Sequence, residues 1–226
     1  MLDHFQRFAI YYAPHADSDF WQAGASWLGW NAQTGQRVAH PDLGIDLAQL
    51  TQTPRKYGLH GTLTPPMRLC CEPATFVDAL EVLAQSLAPV GLGDLRVKPI
   101  DGFLAIVPDV QPQALSDTAA QIVRALDPFR APLSEHDLAR RRASGLTKRQ
   151  DALMQLWGYP YVMEEFRFHV TLTGRLDTAT IPQVRQAAMA WFGPALEERH
   201  HLDALCLFGE AEDGQFHLIR RFAMRG

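Results

Sequence analysis

Residues 59–66 read LHGTLTPP and residues 168–174 read FHVTLTG, so the chain writes His-x-Thr twice, each time among strand-forming apolar residues. The chemistry open to such a pair is proton transfer at phosphorus. A neutral imidazole takes a proton from water or a sugar hydroxyl, and an imidazolium returns one to a departing oxygen. With an ordinary pKa of about 6.5, both forms are accessible near neutrality. A threonine hydroxyl two residues on lies beside the imidazole in an extended chain. It can donate to a nonbridging phosphoryl oxygen, where negative charge accumulates. On this reading His60 and His169 exchange protons, and Thr62 and Thr171 hold the phosphate.

Strand alternation widens the set. With residues 56–64 extended, Lys56, Gly58, His60, Thr62 and Thr64 share one face, and Tyr57, Leu59, Gly61 and Leu63 share the other. With residues 167–173 extended, Arg167, His169, Thr171 and Thr173 oppose Phe168, Val170 and Leu172. Lys56, Thr64, Arg167 and Thr173 are therefore expected to contact substrate, while Tyr57 and Tyr161 are candidates to flank a sugar or base. The competing reading is a solvated outer face of an antiparallel sheet, where threonine is common for its β propensity.

The elements that must position these residues recur. Each motif strand is followed by a helical pattern (ATFVDALEVLAQSLA; TIPQVRQAAMAWF) and two strands around a glycine turn, Asp101-Gly102 or Asp213-Gly214. His60 to Gly102 is 42 residues and His169 to Gly214 is 45, which reads as an internal duplication. Before it lie a strand, FQRFAIYYA, and a helix that begins after Asp17-Ser18-Asp19. Between the halves, residues 127–165 hold two short helix patterns, one capped by Ser134 and one by Thr147 with Gln150 three residues on. The expected plan is a single bilobal domain, with lobe 1 at about 1–126, an insert or lid at 127–165 and lobe 2 at about 166–226. The insert is basic. Arg130 and Arg149 are its candidate phosphate contacts, and the run Arg140–Arg142 reads as solvated surface.

Composition narrows the classes. The chain has 226 residues, 47% of them hydrophobic, and a net charge of −4, so bulk charge does not favour nonspecific nucleic-acid binding. Cys70, Cys71 and Cys206 have no framework spacing and fit a reducing compartment. With no signal layout and no apolar stretch of membrane length, a cytoplasmic protein that does not associate with membranes is expected. The remaining histidines lack HExxH or Cys/His spacing, so no metal and no cofactor are expected. Neither a P-loop nor GxSxG occurs.

HGTLT and HVTLT resemble the paired motifs of the 2H phosphoesterase superfamily. KYGLHGTLTPP, PFRAPLSEHDLARRRASGLT and WGYPYVMEEFRFHVTLTG are similar to one subgroup of it, whose members are encoded beside phosphonate-utilisation genes. The resemblance implies an α+β, pseudo-two-fold duplicated fold: two mainly antiparallel sheets facing a central cleft, with helices outside. It implies His60 and His169 as the catalytic pair and Thr62 and Thr171 as the phosphate-binding hydroxyls. The implied activity is metal-independent hydrolysis of a small cyclic phosphodiester, of a phosphoribosyl or nucleotide-like metabolite. RNA end processing is an alternative, against which count the acidic net charge and the lack of a basic, aromatic-interleaved stripe. A nonenzymatic module that binds a phosphorylated ligand is another.

Overall fold

A computed structural model describes residues 2 and 4–226. In chain order the elements are β1 (Arg7–Tyr12), α1 (Asp19–Leu28), a small ribbon of β2 (Trp30–Asn31) and β3 (Gln36–Arg37), and the single turns α2 (Leu47–Leu50) and α3 (Gln52–Arg55). Next are β4 (Gly61–Met67), α4 (Pro73–Ser86), β5 (Val90–Gly91), β6 (Leu95–Ile100), β7 (Phe103–Pro108) and α5 (Gln113–Leu126). The chain continues through α6 (Glu135–Arg142), α7 (Lys148–Trp157), β8 (Val170–Thr171) and α8 (Ile181–Leu196). It ends with β9 (His201–Leu202), β10 (Ala204–Glu210) and β11 (Phe216–Ala223).

The fold is α+β with antiparallel strands. Seven of them form one sheet in the order β11-β10-β1-β4-β8-β7-β6. Its two wings meet where β4 and β8 share one pair, Gly61 opposite Val170. The two expected sheets are therefore wings of a single sheet. Strand pairing crosses between the residue ranges 1–126 and 166–226. The β6–β7 hairpin pairs with β8 and so sits beside the second motif, whereas β10 and β11 join β1 and the first motif. Each motif strand is followed by a long helix that carries the chain across the sheet, so that β6–β7 docks directly on β8 while β10–β11 docks on β1, the neighbour of β4.

Local sequence explains the elements. β1 lies between β10 and β4 and is buried on both faces, as its apolar run requires. Phe8, Ile10 and Tyr12 enter the larger core, with Phe20 and Trp27 of α1, Phe76 and Leu80 of α4, Ile122 of α5 and Phe192 of α8. Ala9 and Tyr11 enter a smaller cluster on the opposite face with Trp30, Phe208 and Phe216. The long helices thus cover one face and leave the other for the site. Ser18 caps α1 by accepting the Trp21 N–H at 3.2 Å. The Thr147–Gln150 capping box opens α7 as expected. Asp101 (φ 45°) and Gly102 (φ 90°) supply the left-handed pair that a two-residue hairpin turn demands.

The motif strands are shorter and differently placed than alternation predicts. The first does not start at Arg55: α3 ends there, and Gly58 turns the chain with φ 71°. Nor does it stop at Pro65-Pro66. β4 runs to Met67, its pairing with β1 shifting register between Thr64 and Met67 so that the prolines occupy a bulge. The second is reduced to Val170–Thr171. Among the described residues no helix is long and apolar enough to cross a membrane.

Candidate active site

His60 and His169 are held in the same way. The Nδ1–H of His60 donates to the Gly58 carbonyl at 2.9 Å, and that of His169 to the Arg167 carbonyl at 2.8 Å. A carbonyl only accepts, so each Nδ1 carries the hydrogen and each Nε2 is left for chemistry. Both imidazoles line one cavity of about 460 Å³ together with Thr62 and Thr171. The register explains the grouping. One residue out from the Gly61–Val170 pair, His60 stands across from Thr171 and Thr62 across from His169. Diagonal neighbours in such a pair are roughly 7–8 Å apart, room for one phosphoryl group between the two histidines.

A second matched interaction marks the duplication. Thr64 Oγ1 accepts the Ile10 N–H from β1 at 3.0 Å, and Thr173 Oγ1 accepts the Leu104 N–H from β7 at 3.0 Å. In each His-x-Thr-x-Thr run the first threonine faces the cavity and the second satisfies a neighbouring backbone.

The two imidazoles differ in their walls. Opposite Thr62 on β1 is Tyr11, whereas opposite Thr171 on β7 is Ala105. The Tyr11 ring lies 4.1 Å from that of His60, and the Tyr57 ring lies 5.5 Å from it. His60 keeps a cavity-facing edge, but these rings exclude water from it. Burial pushes its pKa down to about 4; the Gly58 carbonyl opposes the shift and nearby His169 adds to it. Among the described residues the aromatic ring near His169 is that of Phe103, at 6.0 Å.

The other expected contacts divide. Lys56 and Tyr57 both line the cavity, with the Lys56 ammonium 4.7 Å from the Tyr57 ring centre. Adjacent residues can share it because Gly58 breaks the alternation. Thr173 reaches the cavity wall but its hydroxyl is committed to Leu104. Thr64 does not line the cavity, because its hydroxyl is turned to the β1 backbone at the bulge. Arg130 lies outside, fixed to Asp127 at 2.8 Å and to the Leu156 carbonyl at 3.2 Å. Arg149 is outside too, paired with Glu164. Tyr161 is 44% exposed and packs edge-on against Tyr159. The Arg167 side chain is exposed, and this residue serves the site through its carbonyl.

Four residues sequence reasoning passed over stand in their place: Tyr11, Tyr159 and, from the arginine run, Arg140 and Arg141. Successive helical residues point about 100° apart. One run therefore sends Arg140 and Arg141 to the cavity while Arg142 pairs with Asp151 at 2.7 Å. Arg7 also lines the cavity, and Glu210 binds it and raises its pKa.

Residues 62–217 match the family described as "Protein of unknown function (DUF1045)". The chain is 37% identical over 199 residues to the ribose 1,5-bisphosphate phosphokinase PhnN of Janthinobacterium sp. (strain Marseille), covering 84% of this chain and 44% of that protein. It is 36% identical over 219 residues to the protein of the same name from Laribacter hongkongensis (strain HLHK9), covering 95% and 51%. The chain thus spans about half the length of the curated relatives it matches. Among solved structures, E. coli LigT complexed with 3′-AMP aligns over 98% of this chain and 99% of its own, with 16% identity and a TM-score of 0.43.

Proposed function

We propose that this chain, which belongs to the DUF1045 family of proteins of unknown function, hydrolyses a small cyclic phosphodiester with His60 and His169 as its acid–base pair. One observation carries the reading. Two imidazoles from opposite wings, each tethered through Nδ1 to the carbonyl two residues before it, open Nε2 to the same cavity, each across from the other motif's threonine. A solvated sheet face would not bring them together.

The roles follow from the difference in burial. His60, held neutral, accepts a proton from water as the water oxygen attacks phosphorus. An anionic phosphate beside it favours the imidazolium and so strengthens it as a base. The bond from phosphorus to one ring oxygen breaks, and that oxygen takes a proton from His169 Nε2. Thr62 and Thr171 donate to the nonbridging oxygens. The product is a phosphomonoester with a free hydroxyl, and proton exchange with solvent restores both histidines.

The names of the two relatives favour a phosphorylated ribose as the substrate class. This chain has no P-loop, so we assign the phosphokinase activity in those names to the part of the relatives that it does not match.

The test is a phosphorus NMR screen of ribose 1,2-cyclic phosphates and nucleoside 2′,3′-cyclic phosphates with the wild type, His60→Ala and His169→Ala. The wild type should convert one class to a single monoester, and each variant should lose about 10²–10⁴ in rate with its fold intact by circular dichroism. Near-full turnover by either variant would refute the assignment.

A further inference from the structure

One side of the cavity carries guanidinium groups that the acid–base pair does not use. Arg7 is neutralised by Glu210, and Arg140 is bonded to Asp137 at 2.8 Å. Arg141 differs. Its guanidinium lies 5.2 Å from the centre of the Tyr159 ring, its Nε is buried with no hydrogen-bond partner, and among the described residues no carboxylate pairs with it. Burial lowers its pKa; Tyr159 and the nearby Asp137 carboxylate oppose that shift, and Arg140 and Arg7 add to it. A guanidinium half out of water with an idle N–H is unfavourable by itself and becomes favourable when an anion completes it.

Its position says which anion. Arg7, Arg140 and Arg141 line both the histidine cavity and an adjoining one of about 430 Å³, so they stand on the boundary between the two. A ligand whose reacting phosphorus sits between His60 and His169 reaches this boundary with its other end. Two neighbouring guanidinium forks suit a group with three outward oxygens and a double negative charge better than a carboxylate.

We infer that Arg141, with Arg140 beside it, binds a second phosphate on the same substrate, so that the substrate is a cyclic phosphodiester that also carries a phosphomonoester. This assignment rests on the reading of His60 and His169 as the reacting pair, and it makes the insert's α6 part of substrate selection.

Binding and turnover test it separately. Adenosine 3′-phosphate and adenosine 3′,5′-bisphosphate are titrated calorimetrically into wild type, Arg141→Gln and, as a control outside the cavity, Arg142→Gln. Adenosine 2′,3′-cyclic phosphate is assayed with and without a 5′-phosphate. The second phosphate should strengthen binding by about 10–100-fold in wild type and Arg142→Gln, the range expected of a charge-assisted contact. In Arg141→Gln the ratio should fall to near one, and kcat/KM should follow the same pattern. Equal binding of the two ligands by wild type, no binding of either, or a preference that survives Arg141→Gln would overturn the inference. An Arg141-dependent preference without turnover of either cyclic nucleotide would support the arginine subsite and remove nucleoside 2′,3′-cyclic phosphates from the substrate class.

Discussion

Gly61 and Val170 face one another as the pair that joins the two wings of the sheet, and a site histidine immediately precedes each. Whatever moves this pair moves His60 relative to His169.

Gly61 is the sensitive member. A Cβ there would lie 2.7 Å from Cε2 of Phe168, whose buried ring cannot swing away. Gly61→Ala should destabilise the protein by about 1–3 kcal/mol through overpacking. Turnover should fall further than the melting temperature implies, since a shift of about 1 Å at a reacting group can cost about 10²-fold. Thermal melts and steady-state kinetics check this; unchanged values for both would show that the join tolerates a side chain.

The two threonines of each motif should separate stability from chemistry. Thr64→Val and Thr173→Val each leave a buried backbone N–H, of Ile10 or Leu104, without its acceptor. Each should lower stability by about 1–3 kcal/mol. Thr62→Val and Thr171→Val should leave the melt nearly unchanged and slow turnover by about 10²–10³-fold through a lost oxyanion donor. Urea titrations alongside kcat measurements would expose a reversed pattern.

His60 ties stability to pH. Its pKa is about 4 in the folded chain, below the ordinary 6.5. Above about pH 6.5 neither state binds the proton and the stability is fully present. Between that pH and about 4 the unfolded chain is protonated and the native one is not, so stability is lost as pH falls, by about 3 kcal/mol in all. His60→Asn should unfold with a shallower pH dependence across this window. Equal slopes for the variant and the wild type would mean that His60 is not the group responsible.

The two histidines and their threonines were legible because β periodicity and repetition are local properties of a sequence. Alternation predicted that His60 and Thr62 share a face, and both line the cavity. It failed at Tyr57, which lies in a turn that ends at left-handed Gly58, and at Arg167, which lies before the strand begins at Val170. Wing composition was not legible, since strand partners are chosen across the whole chain. Nor was the choice among arginines. Arg130 and Arg149 read as free cations because Asp127 and Glu164 become their partners only once the chain folds. Arg140 and Arg141 enter through the angular spacing of one helix and its docking.

Tyr11 is the residue that makes the two imidazoles unequal, and its removal should show it. The ring is fully buried, packs on Phe208 at 5.0 Å, and covers the His60 face at 4.1 Å. In the other wing the same position is Ala105, and among the described residues no aromatic ring covers His169 so closely. Tyr11→Leu keeps an apolar side chain in the core but opens space beside the imidazole, so water returns and the penalty on the charged form falls. The His60 pKa should rise from about 4 towards the ordinary histidine value. The acid limb of kcat/KM, which reports groups of the free enzyme, should move to higher pH with it. Imidazole NMR titration measures the first and a pH–rate profile the second. A His60 that still titrates near its wild-type value in Tyr11→Leu would assign its neutrality to the cavity as a whole rather than to this ring.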